Sequence, residues 1–173
     1  QLRTGNIVTL MTNMEIPAGT PLNDFKTEGK LFSSYVMTKN GEKYGFIGAA
    51  PIGVNLGLFD KDNKVSVYDS EGTVVALNNE VKKLEEQGIN KIIFVSHLGY
   101  FGEGGDLAIA KKTEGIDVIL GGHTHLEIDG IQTKDVDKRH LTNLVLSKKG
   151  EPVVIVQTCG MAKDIGNLKV TFN

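Results

Sequence analysis

The sequence predicts an α/β fold with a mixed sheet, in which parallel strand–helix units are followed by antiparallel hairpin strands. Three observations predict it. Residues 71–120 alternate helix, strand, helix, strand, and the strands are the apolar runs Lys91-Ile92-Ile93-Phe94-Val95-Ser96 and Ile116-Asp117-Val118-Ile119-Leu120. Continuous apolar runs of that kind are typical of parallel strands buried on both faces and joined by right-handed crossovers. Asn40-Gly41 separates two strand-like runs, and Asn-Gly supplies the positive φ angles of a tight hairpin. Finally, Leu141-Thr142-Asn143-Leu144-Val145-Leu146 and Pro152-Val153-Val154-Ile155-Val156 flank a Ser-Lys-Lys-Gly turn, a second hairpin.

In chain order, Gly5-Asn6-Ile7-Val8-Thr9-Leu10 reads as a strand. Residues 11–30 hold Pro17, Gly19, Pro21 and Gly29 and read as an irregular connection. The first hairpin runs from Tyr35 to Gly48, and residues 50–64 lack periodicity and read as loop. Val74, Leu77, Val81 and Leu84 recur at spacings of three and four, which predicts an amphipathic helix over 71–87. Asp69 or Ser70 is placed to cap it, and Gly88 to stop it. A glycine-rich loop over 99–105 leads to a short helix that Asp106 is expected to cap, running through Lys112 and ending by Gly115. A last strand is expected over 167–172.

The 173 residues fit one domain with a single core. Nineteen basic residues against twenty-one acidic ones leave a net charge of −2, so no basic surface points to nucleic acid or to an anionic membrane. No apolar run is long enough to span a bilayer. Cys159 is the only cysteine, which excludes an intrachain disulfide, and it reads as a small apolar filler.

The chemistry sits at two strand ends. His97 follows the first buried strand, and Gly121-Gly122-His123-Thr124-His125 follows the second. Ligands of open α/β sheets gather at the carboxyl ends of parallel strands. If the strands are neighbours, about 4.8 Å apart, their imidazoles are placed to converge on an ion at about 2.0–2.1 Å. In an extended segment His123 and His125 face the same way, which suits one histidine to each of two ions. His140 is left over as an exposed loop residue. Gly102-Glu103-Gly104-Gly105-Asp106 lacks the Lys-Ser/Thr of a P-loop and reads as a flexible turn.

On Val95-Ser96-His97-Leu98-Gly99, Asp106-Leu107-Ala108 and Gly115 through His125, the sequence resembles the calcineurin-like metallophosphoesterases, and within them the 5'-nucleotidase family. Gly45-Phe46-Ile47-Gly48, Pro152 through Gln157 and Gly160 through Leu168 extend the similarity over roughly residues 5–172. The resemblance implies a partial metallophosphoesterase sandwich with a site for two divalent ions (Zn, Mn, Fe or Co). His97 and His123 would hold one ion and His125 the other. It further implies hydrolysis of phosphate monoesters, nucleotides among them, by metal-activated water, and a periplasmic or extracellular location.

The family's Asp-x-His, Gly-Asp and Gly-Asn-His-Glu motifs, which supply the remaining ligands, the bridging carboxylate and a catalytic histidine, have no match here. By the resemblance they would precede Gln1, and the nucleobase-stacking domain would follow Asn173. Residues 1–173 are thus expected to form one incomplete metallophosphoesterase domain. Three imidazoles bring no negative charge to offset two divalent ions. Metal binding by this chain alone is therefore expected to be weak, single or absent, with little or no hydrolysis. Uncovered strand edges and apolar faces are expected to favour self-association. Two other readings stand beside this one: a non-catalytic binding module of the same fold, and a single-metal hydrolase using His97, His123 and His125.

Overall fold

A computed structural model describes residues 7–53, 65–128, 142–161 and 163–172. The leftover His140, the start of the first strand at Gly5-Asn6, and most of the 50–64 loop lie outside the described residues. Strand β1 is short, Thr9–Leu10, and β2 is Met14–Glu15. The connection expected to be irregular contains a helix instead, α1 at Pro21–Thr27. Its signal is in the sequence: Thr20 caps it by accepting from the Asn23 amide, and Pro21 occupies the first turn, where a missing N–H costs nothing. Strand β3, Leu31–Phe32, pairs in parallel with β1.

The hairpin forms as expected. Strands β4 (Ser34–Lys39) and β5 (Glu42–Ala49) pair antiparallel around Asn40 and Gly41, at φ 54° and 83°. Strand β6, Ser66–Val67, pairs with β2. Helix α2 spans Ser70–Glu85, with Asp69 accepting from the Gly72 amide at 2.7 Å and Gly88 at φ 75° beyond its end. Leu77, Val81 and Leu84 bury the face that the periodicity marks. Strand β7 is Ile92–Ser96, helix α3 is Asp106–Lys112, and β8 is Val118–Leu120. Strands β9 (Leu144–Leu146) and β10 (Pro152–Val156) make the second hairpin.

These elements assemble a six-stranded sheet in the order β4-β5-β7-β8-β10-β9. The pairs β5–β7, β7–β8 and β8–β10 are parallel and the two outer pairs are antiparallel. The mixed sheet matches the expected fold class, and β7 and β8 are direct neighbours.

Two further expectations are corrected. Residues 167–172 are not a strand. Gly166, Leu168, Lys169, Val170 and Phe172 line a groove shared with Met37, Phe46 and Val118 on one sheet face, and Phe172 meets the Tyr44 ring edge-on at 6.2 Å. Contact of Leu168, Val170 and Phe172 with that face removes apolar surface from water without a strand partner.

Nor are the central strands buried on both faces. Ile47, Ile92, Phe94, Ile119, Val153 and Ile155 pack into one core with Leu77, Val81 and Leu84 of α2 and Ile109 and Ala110 of α3. On the opposite face Val95 and Leu120 remain exposed. Helices α2 and α3 thus pack on the same face. The 8–11 segment, β4, β5 and β7 therefore line an apolar groove of about 620 Å³ that runs to His97.

Candidate functional site

The sequence leaves β7 at Ser96 and β8 at Leu120, adjacent positions on the same end of the sheet. Backbone pairing therefore brings the His97 and His123 turns together. Their rings meet edge-to-face, with centroids 5.2 Å apart and planes at 73°. Each ring lies against a glycine of the other turn. A Cβ at Gly122 would come 3.0 Å from His97 Nδ1, and one at Gly99 would come 3.2 Å from His123 Cδ2. The glycines serve close approach of two turns.

The segment after Gly122 is not extended, as the spacing argument assumed. His123 and His125 both take positive φ, 74° and 54°. The Thr124 amide donates to the Gly122 carbonyl at 2.9 Å, closing a three-residue turn on His123. A non-glycine residue held there costs about 1–3 kcal/mol and persists only where its surroundings fix it. The segment is held by Gln157, which directly follows β10 and is almost fully buried. Its Oε1 accepts from the Thr124 hydroxyl at 3.0 Å, and its Nε2 donates to the Leu126 carbonyl at 2.7 Å. The clamp grips both neighbours of His125, whose ring lies over Gly160; a Cβ at Gly160 would fall 2.2 Å from His125 Cγ.

All three histidines are exposed. The structure brings His97 and His123 into contact. His125 is held separately, against Gly160. Among the described residues no three His, Cys, Asp or Glu side chains are grouped to hold an ion. The His97–His123 centroid separation is one that edge-to-face ring packing gives by itself, and it also matches two imidazoles sharing an ion. Imidazoles at about 2.0–2.1 Å from a tetrahedral centre have ring centroids roughly 5 Å apart, the separation observed.

Beneath the pair lies Asp106. It does not cap α3, whose N-cap is Gly105 and makes no side-chain bond. Asp106 is instead fully buried, and its Oδ1 accepts a short hydrogen bond from the Ser96 hydroxyl. The other oxygen has no hydrogen-bond partner. Burial pushes the carboxyl up to about 7, against the opposing pull of the Ser96 hydrogen bond. The glycine-rich loop before it is a turn that closes through Asp106 N–H donating to the Gly99 carbonyl at 2.7 Å. Cys159 is half-buried beside Asp164, and burial first, then the Asp164 carboxylate, pushes its thiol up.

Comparison with known proteins gives this arrangement a context. No family model matches the chain. The mouse 5'-nucleotidase is 30% identical over 178 residues, spanning 98% of this chain and 30% of that protein. The snake venom 5'-nucleotidase of Crotalus adamanteus is also 30% identical, over 99% of this chain and 28% of its own length. The chain belongs to the 5'-nucleotidase family. Two solved nucleotidases share the fold. The 5'-nucleotidase precursor from Thermus thermophilus superposes with a TM-score of 0.69 at 25% identity, covering 90% of this chain and 29% of that one. The NAD nucleotidase of Haemophilus influenzae superposes at 0.68, also at 25% identity, over 90% and 29%. The chain thus spans under a third of each of these relatives.

Within the 5'-nucleotidase family frame, sequence reading located the histidines and missed their supports. Ser96 and Gln157 carry no motif of their own. Their signal is positional, since each ends or directly follows a central strand next to a histidine turn. Asp106 had a visible signal, an acid at a helix start, but that signal points to capping.

Proposed function

We propose that this chain carries the histidine side of a metal-dependent phosphoesterase site acting on nucleotides or similar phosphate monoesters. The observation that carries the reading is the His97–His123 ring pair at the ends of adjacent parallel strands, at a separation that two imidazoles on one ion would have. Family membership supports the substrate class, because the relatives named above are nucleotidases. His97 and His123 would hold one divalent ion and His125 a second, of Zn, Mn, Fe or Co. Such ions, when bound, lower the pKa of water and neutralise charge on the phosphoryl oxygens.

This chain's own residues orient and shape. Gln157 fixes the turn on both sides of His125, Gly99 and Gly122 let the two turns interlock, and Ser96 ties down the base of His97. Three imidazoles bring no negative charge to offset two divalent ions. That supports weak, single or absent metal binding and little or no hydrolysis by the 173 residues alone. The under-one-third share of the relatives supports reading these residues as one incomplete metallophosphoesterase domain, with further ligands supplied from outside it. The exposed apolar face supports association between copies. No helix among the described residues is long and apolar enough to cross a membrane, and we carry over the periplasmic or extracellular location from the family.

The test is hydrolysis of a nucleoside 5'-monophosphate by the full-length gene product that contains this chain. Phosphate release is expected to stop with a chelator, return with Zn²⁺ or Mn²⁺, and fall at least a hundredfold in His97→Ala and His123→Ala. Hydrolysis indifferent to chelation, or to both substitutions, would overturn the reading.

A further inference from the structure

We infer that Asp106 is a positioning residue whose buried polar side chain sets the His97–His123 spacing by bridging the ends of β7 and β8. The inference rests, for its link to metal, on the function proposed above. Its geometry stands on its own.

Asp106 reaches both histidine turns at once. One oxygen takes the Ser96 hydroxyl, and that hydroxyl also accepts from the Leu98 amide at 3.1 Å. The resulting bridge spans His97, the residue between them. The other oxygen faces Gly121, the first residue of the second turn; a Cβ there would lie 2.7 Å away. Gly121 is itself pinned to β10, donating its amide to the Val156 carbonyl at 2.8 Å.

Retaining an unpartnered carboxylate oxygen in the interior is costly. Asp106 lies against both strand ends, through the Ser96 hydroxyl on one and beside Gly121 on the other. The Val156 carbonyl and Gln157 Oε1 also crowd Gly121, 3.4 and 3.6 Å from the same Cβ position. An amide group at 106 would suit those acceptors. The carbonyl oxygen of Asn would still take the Ser96 hydroxyl, so Asn is expected to substitute for Asp in this role, whereas Ala is not.

The experiment uses the 173-residue chain and reads two quantities: the proton cross-relaxation between the His97 and His123 rings without metal, and the affinity for Zn²⁺. Wild type and Asp106→Asn are expected to show the ring–ring cross-peak and Zn²⁺ affinities within about threefold of each other. Asp106→Ala and Ser96→Ala are expected to lose the cross-peak and to weaken Zn²⁺ at least about tenfold, the usual scale for residues that orient ligands. Leu84→Ala, which destabilises the core far from the site, separates positioning from general stability and is expected to keep both signals. Ser96→Ala carries the test if Asp106→Ala does not fold, because it removes only a hydroxyl.

The inference is overturned if folded Ser96→Ala or Asp106→Ala keeps both signals, or if Leu84→Ala loses them equally. If the cross-peak responds as expected while wild type binds no Zn²⁺, the positioning role stands and the metal reading loses its support.

Discussion

Phe94 and Val95 are successive residues of β7 facing opposite sides of one sheet. Phe94 is 0% exposed under α2 and α3, whereas Val95 is 42% exposed. Ile119 and Leu120 of β8 repeat the contrast, at 0% and 38%. The sequence writes both faces in the same apolar alphabet, so residue type does not separate them. Packing does. The helix-covered face has its partners within the described residues, and the other is covered only in part, by β1 and by residues 166–172. Folding energy and unspent surface thus lie back to back, and the histidine turns sit at the rim they share.

The largest expected effect breaks the comparison directly. Phe94→Ala should destabilise by about 3–5 kcal/mol, because it leaves a cavity in a closed core. Val95→Ala should cost below about 1 kcal/mol, as at other exposed sites. Urea denaturation of the two variants measures both, and equal losses would mean that the two faces are equally covered.

A second effect belongs to the covered side. Burial raises the Asp106 carboxyl from the ordinary 3.8 to about 7. Between those values the folded chain keeps a proton that the unfolded chain releases. This group's contribution is therefore most favourable below about pH 4 and is lost as pH rises to about 7, by at most about 4 kcal/mol. Asp106→Asn should flatten the fall over that window. Superimposable stability–pH curves for wild type and variant would contradict the assignment.

The smallest effect on stability sharpens the open side. Val95→Ser combined with Leu120→Ser should change unfolding free energy by about 0.5 kcal/mol per site or less. The same double variant should shift sedimentation towards monomer. A wild-type chain that is already monomeric at high concentration would show that this face does not drive association.

Much of the sheet was legible in the sequence, for identifiable reasons. Asn40-Gly41 demands a primed turn, Leu77-Val81-Leu84 marks one helix face, and Ile92 through Ser96 is too apolar for a loop. What was not legible depends on contacts between distant segments. Helix α1 announces itself only through Thr20-Pro21, with no buried residue to give it a period. The 167–172 run has strand-like composition but lies along a sheet face. His97 and His123 were legible as strand-end residues. Their reciprocal packing on Gly122 and Gly99 was not, because it needs the neighbour relation of β7 and β8. His123 and His125 take positive φ in a segment that Gln157, more than thirty residues on, holds at Thr124 and Leu126.

Whether His97 and His123 hold metal as a pair can be read from one titration. Zn²⁺ is added to the 173-residue chain while every histidine ring resonance is followed by heteronuclear NMR. The His97 and His123 rings are expected to shift together and before any others, with weak affinity that either His97→Ala or His123→Ala abolishes. Rings of His97 and His123 that stay unmoved while the chain takes up Zn²⁺ elsewhere would contradict it.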